Sequence, residues 1–379
     1  MPQSHIIITH QYPLNAPGGG TRSCVQIIQH LQKIGVEVTV IQISSDSQQG
    51  TDLVPCQVFS VAPNHFNYLF TGYSIARTIE KLISQKSVDA VLSWSYEAAF
   101  LPKFLRKHKI LFGMIAAMPS YEDWFTRKTD FKFLKGFSDN WFRLRPFRLA
   151  DISFVSSNFT KRELSDLFDI ELRKISVVGR GIDDVFFSVN RTPSKSISNF
   201  IFYGSLAPVK GVFDVVDALG FVYEKGFQEW KLKIAGWGDL DLLTQSIREH
   251  GIEDNVQFLG RLEPNELVQS LGWADIAILP SRAESFGRSI AEAQAAGLPV
   301  ISYAVGSIPE IVDHGSTGWL VPPKQPKLLA EAIVQAIKQP AATYQMGLAG
   351  RERVSQLFSW EKTAGAILHG IENARRSNS

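Results

Sequence analysis

Two glutamates, Glu284 and Glu292, stand eight positions apart within ADIAILPSRAESFGRSIAEAQAAGLPVIS. The apolar run ending at Pro280 reads as a strand and SRAES as a polar loop. Phe286-Gly287-Arg288-Ser289 then opens a helix that stops at Gly297. A helix start offers unpaired N–H groups and the positive end of the helix dipole, which suits a phosphate. Gly287 lets backbone and ligand approach closely. A carboxylate further along the helix, at Glu292, can accept from both hydroxyls of a ribose. The loop carboxylate of Glu284 can meet the hydroxyls of a sugar beyond a diphosphate. Two glutamates at this spacing can equally be a loop charge and a solvated helix residue.

The elements that must position them come from an alternation running along the whole chain. Short β-rich apolar runs alternate with segments of helical period, the pattern of parallel sheets covered by helices. Strands are predicted at His5–Thr9, Val36–Ile43, Gln57–Ala62, Val88–Trp94, Ile110–Ile115, Asp151–Ser156 and Ile175–Val178. Thr21–Ile34 sets Val25, Ile28 and Leu31 on one helical face and stops at Gly35. SVNRTPSKSISN, residues 188–199, is polar and without hydrophobic period, and reads as an interdomain linker. Strands resume at Phe200–Tyr203, Lys231–Ala235, Val256–Leu259, Ala274–Pro280 and Pro299–Tyr303. The fold class is therefore α/β, with two doubly wound domains, 1–187 and 188–359. Such sheets bind ligands at the carboxyl ends of their strands.

With 379 residues and a formal net charge of +2, the chain has room for two domains and no global field calling for nucleic acid. Cys24 and Cys56 sit in unrelated contexts, with neither a disulfide framework nor metal spacing, so a reducing cytoplasm is the simpler expectation. MPQSHIIITH lacks the basic n-region and long apolar core of a signal peptide.

PSRAESFGRSIAEAQAAGLPVI resembles the donor-site signature of glycosyltransferase family 4, retaining transferases with the glycosyltransferase-B fold. GSIPEIVDHGSTGWLVPP continues the resemblance; GSLAPVKG, KLKIAGWGD and NVQFLGRL precede it in the family's order. In the first half the Gly18–Gly20 loop, ADISFVSS and VVGRGIDDVF also match. The resemblance implies two Rossmann-like domains facing across a cleft, with a C-terminal helix, 360–379, crossing back onto the first. It implies a nucleotide-diphosphate sugar as co-substrate, a glycan or lipid-linked acceptor, and no required metal or other cofactor. The second domain would hold the donor through Glu292, the helix beginning at Gly287 and Lys210, which looks like the lysine that meets the diphosphate. Gly204, Ser205, Phe286, Arg288 and Ser289 belong to the same implied donor set, and Arg261 sits where family members frame the nucleobase. Gly19 and Gly20 open a helix whose N–H groups could face diphosphate or acceptor, or simply form a flexible turn.

The sequence departs from the family in two places. Ser205 stands where an arginine often completes the cationic clamp, and Arg282 or Arg288 could supply that charge instead. The loop after Ile110–Ile115, Ala116 to Trp124, lacks the histidine that many members place near the anomeric centre. Glu284, Glu122 and Asp123 are the candidate catalytic carboxylates; Glu122 and Asp123 could bind an acceptor hydroxyl as a base or could merely start a helix. In the front-face displacement implied by the resemblance, the departing phosphate takes the acceptor proton, which softens the loss of the histidine. Asp239-Leu240-Asp241 mimics an Asp-x-Asp metal motif but falls where aspartate caps a helix.

Residues 124–149 alternate aromatics with Lys and Arg, and Phe131, Leu134, Phe137, Trp141 and Leu144 fit one helical stripe. The stripe packs in a core or rests peripherally on the inner face of an anionic membrane. Two rival readings stand beside glycosyl transfer in polysaccharide or glycoconjugate synthesis: a non-catalytic nucleotide-sugar-binding relative, and a nucleotide-sugar epimerase on the same fold.

Overall fold

Runs of branched apolar residues with polar partners only at their ends favour strands buried on both faces, the environment of a parallel sheet. The computed structural model describes residues 4–16, 18–46, 50–63, 68–94, 101–116 and 145–378. These divide into two units, residues 1–181 with 360–379, and residues 182–359.

The first unit contains β1 His5–His10, β2 Glu37–Ile43, β3 Gln57–Val61, β4 Ala90–Ser93, β5 Leu111–Ile115, β6 Ile152–Val155 and β7 Ile175–Val177, in the order β3-β2-β1-β4-β5-β6-β7. All pairings are parallel. Alternation along β1 sends Ile6 and Ile8 into one apolar cluster and Ile7 into the other. The helix Gly19–Lys33 supplies Cys24, Ile27, Ile28 and Leu31 to the first cluster. The helix Trp360–Asn378 joins the same cluster through Trp360, Ala364, Ile367 and Ile371, a helical spacing.

The second unit contains β8 Asn199–Ser205, β9 Lys231–Trp237, β10 Val256–Gly260, β11 Ile276–Ile278, β12 Val300–Tyr303 and β13 Gly318–Val321. The order is β10-β9-β8-β11-β12-β13, again parallel throughout. β13 was not among the strands expected; its short GWLV run follows a turn, where a strand and an apolar loop look alike.

Segment 188–199 is not a linker. Val189 and Ile197 are buried in the second core, and Arg191 donates to the carbonyls of Leu271 at 3.2 Å and Ala274 at 2.7 Å. Those carbonyls end the helix Pro264–Trp273, so the guanidinium satisfies groups that the helix itself leaves unpaired. Arg351 donates in turn to Val189 O at 2.7 Å. Ile182 and Phe186 also enter this core, which moves the boundary from 187/188 to 181/182.

In each sheet the chain builds outward from one strand and then returns to its other side. The reversal lies between β1 and β4 in the first unit and between β8 and β11 in the second. Open α/β sheets offer a crevice at the carboxyl end of such a point.

Candidate active site

The reversal in the second unit brings together the loops after β8 and β11. A single helical turn, Pro208–Lys210, follows β8 and ends at Gly211, whose φ of 75° favours glycine. A Cβ there would lie 2.0 Å from Pro280 O, so only glycine lets this turn abut the end of β11. Arg282 N donates to Val209 O at 2.8 Å and ties the two loops. Lys210 Nζ is then 2.7 Å from Glu284 Oε2, with the lysine 35% and the glutamate 14% exposed. From the loop after β12, Ser307 N and Oγ donate to Glu284 O at 3.1 and 3.3 Å and fix the glutamate's backbone.

Gly287, at φ 87°, starts the helix Arg288–Ala295, and no side chain caps it. The N–H groups of its first turn have no partner within the helix. Tyr203 on β8 donates its hydroxyl to Ser289 O and anchors that turn. Burial, reinforced by Glu292, pushes the Tyr203 phenol well above its ordinary range, which keeps it a donor.

One turn on, Glu292 is 7% exposed and accepts from Arg288 Nε at 2.7 Å. Arg288 Nη2 also lies 3.5 Å from Asp183 Oδ2. The arginine thus sits between two carboxylates and holds the Glu292 side chain in place. Arg282 makes a two-pronged contact to Asp214, at 2.6 and 3.0 Å, and Asp214 is buried in the first turn of the helix Val212–Glu224. This pairing makes Arg282 an anchor between the two loops. The side-chain cluster is built from two cations, Lys210 and Arg288, and three carboxylates, Glu284, Glu292 and Asp183.

Two family models match the chain: "Glycosyltransferase Family 4" over residues 17–186 and "Glycosyl transferases group 1" over 189–353. The chain belongs to the family 4 glycosyltransferases. It is 33% identical to a glycogen synthase of Mycobacterium tuberculosis over 231 residues, covering 60% of this chain and 56% of that protein's length. An uncharacterized glycosyltransferase of Methanocaldococcus jannaschii is 26% identical, with 94% of this chain and 95% of the relative aligned. Among solved structures, Anabaena HepE in complex with UDP-glucose superposes with a TM-score of 0.73 at 20% identity, over 97% of this chain and 99% of HepE. That likeness identifies the fold as the glycosyltransferase-B type.

The remaining candidates of this glycosyltransferase divide by position. Gly204 and Ser205 end β8, paired in register with Gly236 and Trp237 of β9, beside the Lys210 turn. Phe286 turns its side chain inward, 2% exposed and edge-on to Phe358 at 5.2 Å, so only its backbone is available to a ligand. Arg261 follows β10, its guanidinium 5.5 Å from the ring centre of Trp237, which is 59% exposed. Asp239 caps the helix Leu240–Glu249, accepting from Asp241 N at 3.0 Å and Leu242 N at 3.4 Å. Gly19 and Gly20 belong to the first unit, at the start of the helix Gly19–Lys33. Glu122 and Asp123 lie outside the described residues, as do 124–144 of the aromatic and basic stretch. Neither Asp183 nor Asp214 was among the site residues expected from the sequence. An acid three to four residues after Lys210-Gly211, in a first helical turn, was the available signal for Asp214.

Proposed function

We propose that this chain transfers a sugar, with retention, from a nucleoside-diphosphate sugar to a hydroxyl of a glycan or lipid-linked acceptor. The observation that carries the reading is the convergence of Lys210, Glu284, Arg288 and Glu292 around an uncapped helix start, at the reversal point of the second sheet.

Each group has a task suited to its chemistry. The amides of the first turn of Arg288–Ala295 and the Lys210 ammonium receive the diphosphate, supplying its countercharge without a metal. Glu292, oriented by Arg288, accepts from the ribose hydroxyls. Glu284 accepts from the sugar hydroxyls once the diphosphate has drawn Lys210 toward itself. Arg261 and Trp237 border the nucleobase end. In the reaction the acceptor oxygen bonds to the anomeric carbon, the bond from that carbon to the β-phosphate oxygen breaks, and the acceptor proton passes to the departing phosphate. The protein then contributes position and stabilisation of the leaving group's charge. HepE, solved with UDP-glucose, supports a uridine donor as the first to try.

A thermal-shift screen of uridine- and guanosine-diphosphate sugars tests this reading, with Glu292→Ala as control. One series is expected to raise Tm by a few degrees, on the order of what saturating ligand gives, and the variant to lose the shift. Wild-type protein that responds to no nucleotide sugar contradicts the proposal. Product analysis without an acceptor separates transfer from epimerisation. The same reading places the 124–149 stretch on the cytoplasmic face of an anionic membrane, near a lipid-linked acceptor; flotation with anionic vesicles checks it, and absence of binding removes it.

A further inference from the structure

The two loops that carry Lys210 and Glu284 are joined by an ion pair to which the proposed reaction gives no task. Asp214 comes four residues after Lys210, in the first turn of Val212–Glu224, and is 3% exposed. A carboxylate is favoured at that end of a helix. Arg282 comes two residues before Glu284. Its Nη2 donates to Asp214 Oδ1 at 2.6 Å and its Nε to Oδ2 at 3.0 Å. Hydrogen bonding to Asp214 pushes the guanidinium above its already high ordinary value, so it stays a cation although partly buried.

Backbone contacts already tie these loops together. Arg282 N donates to Val209 O at 2.8 Å, and Gly211 abuts Pro280 O. The loop after β12 presses on the glutamate as well: Gly306, at φ 56°, would set a Cβ 2.0 Å from Glu284 O. A single hydrogen bond fixes a distance and leaves rotation about it free. A planar fork on a carboxylate fixes the angle too. Stability is a poor reason for such a pair, because taking two charges out of water offsets most of their attraction. What the pair adds is geometry, at a place where two ligand-binding side chains must keep their spacing. There Lys210 Nζ stands 2.7 Å from Glu284 Oε2.

We propose that Asp214 and Arg282 are positioning residues whose clasp fixes the span between Lys210 and Glu284, and thereby sets which sugar the donor site accepts. The inference rests on the donor reading for the ligand, and it adds the source of sugar selectivity. A nucleoside diphosphate meets only the Lys210 end of the span and tolerates a loosened clasp. A nucleotide sugar must meet both ends at once, and epimeric sugars differ only in the direction of one hydroxyl. Loosening the span lets the wrong epimer bind nearly as well as the right one. It also blurs the alignment that the reaction needs.

The test compares the full wild-type chain with Asp214→Asn, Arg282→Lys, Arg282→Gln and the double variant Asp214→Asn/Arg282→Gln. Calorimetry uses uridine diphosphate with UDP-glucose and UDP-galactose, and guanosine diphosphate with GDP-glucose and GDP-mannose. Each variant should bind the nucleoside diphosphate within about three-fold of wild type, while the affinity gap between epimers closes by roughly five-fold or more. For the preferred donor, kcat should fall roughly 10- to 10²-fold with KM little changed, the scale of a small misplacement of reacting groups. Arg282→Lys keeps the charge without the fork and should not rescue. The double variant should be no worse than the poorer single one, since all of them break one contact.

Arg191→Ala is the control for stability, because Arg191 makes its bonds to Leu271 and Ala274 and to neither loop. It should lower Tm while the epimer gap and kcat stay as in wild type. Clasp variants that behave like Arg191→Ala, losing Tm alone, overturn the proposal. So does wild-type protein that binds both epimers alike. Arg282→Gln that weakens the diphosphate as much as Lys210→Ala also overturns it, since Arg282 would then hold the phosphate itself. Wild-type protein that binds neither nucleoside diphosphate overturns the donor reading and this proposal with it. Diphosphate binding with an unaltered epimer gap in the variants overturns this proposal alone.

Discussion

At the reversal point of the second sheet, charge is concentrated: Lys210 lies 2.7 Å from Glu284, and Arg288 bridges Glu292 and Asp183. At the same topological position in the first sheet, the described groups are neutral: Thr9 bonded to Ser93, and His10 boxed by Trp94 and Tyr12. On the proposed function the charged end suits a diphosphate, which demands cations and amide groups, and the carboxylates would keep those cations placed before it arrives. The fold decides where the ligands go, and the residue types decide which ligand each end accepts.

This contrast can be broken most severely at the charged end. Glu292→Ala is expected to weaken nucleotide-sugar binding and to lower transfer by 10² or more, on the order of the loss from one preorganised contact. Arg288 would lose one carboxylate partner, so Glu292→Gln, which still accepts at one oxygen, should recover part of that loss. Steady-state kinetics with varied donor would show it, and transfer unchanged in Glu292→Ala would place the ribose elsewhere.

A subtler consequence follows from the pairing of Lys210 with Glu284. Glu284→Gln should slow transfer while tightening uridine diphosphate about two- to five-fold, because the lysine no longer has a competing carboxylate. That gain corresponds to ~0.5–1 kcal/mol, the scale of a partly exposed ion pair after solvent screening. Calorimetric titration would measure it; weaker diphosphate binding in this variant would mean that Glu284 holds Lys210 in its productive position.

A further expected effect lies away from both sites and falls on stability alone. Arg191→Ala leaves the carbonyls at the end of Pro264–Trp273 without their donor, and should cost the second unit about 2 kcal/mol, within the range for hydrogen bonds to a charged group. Thermal unfolding should show Tm lowered by several degrees with donor affinity unchanged at a temperature where the fold is intact. Lowered affinity at that temperature would mean that this staple also shapes the site.

Much of this was legible in the sequence because strands and loops carry local signals. The alternation of apolar runs placed twelve of the strands near their observed bounds, and PSRAESFGRS marked the loop and helix that hold both glutamates. What failed was information held in long-range partners. Segment 188–199 looks like a linker by composition, but Arg191 finds its partners some 80 residues further along the chain. The sequence offers Arg282 and Arg288 alike for the diphosphate, and only the structure shows one paired with Asp214 and the other with Glu292 and Asp183.

The central claim is that the charged reversal point is a diphosphate site. Titration calorimetry of uridine diphosphate against wild type, Lys210→Ala and Asp214→Ala tests it most directly. Lys210→Ala should weaken binding at least ten-fold and flatten its dependence on salt, since the lysine acts as a point charge on phosphate. Asp214→Ala, which removes the anchor of Arg282, should weaken it far less. Equal affinity in wild type and Lys210→Ala, with the same salt dependence, would contradict the account.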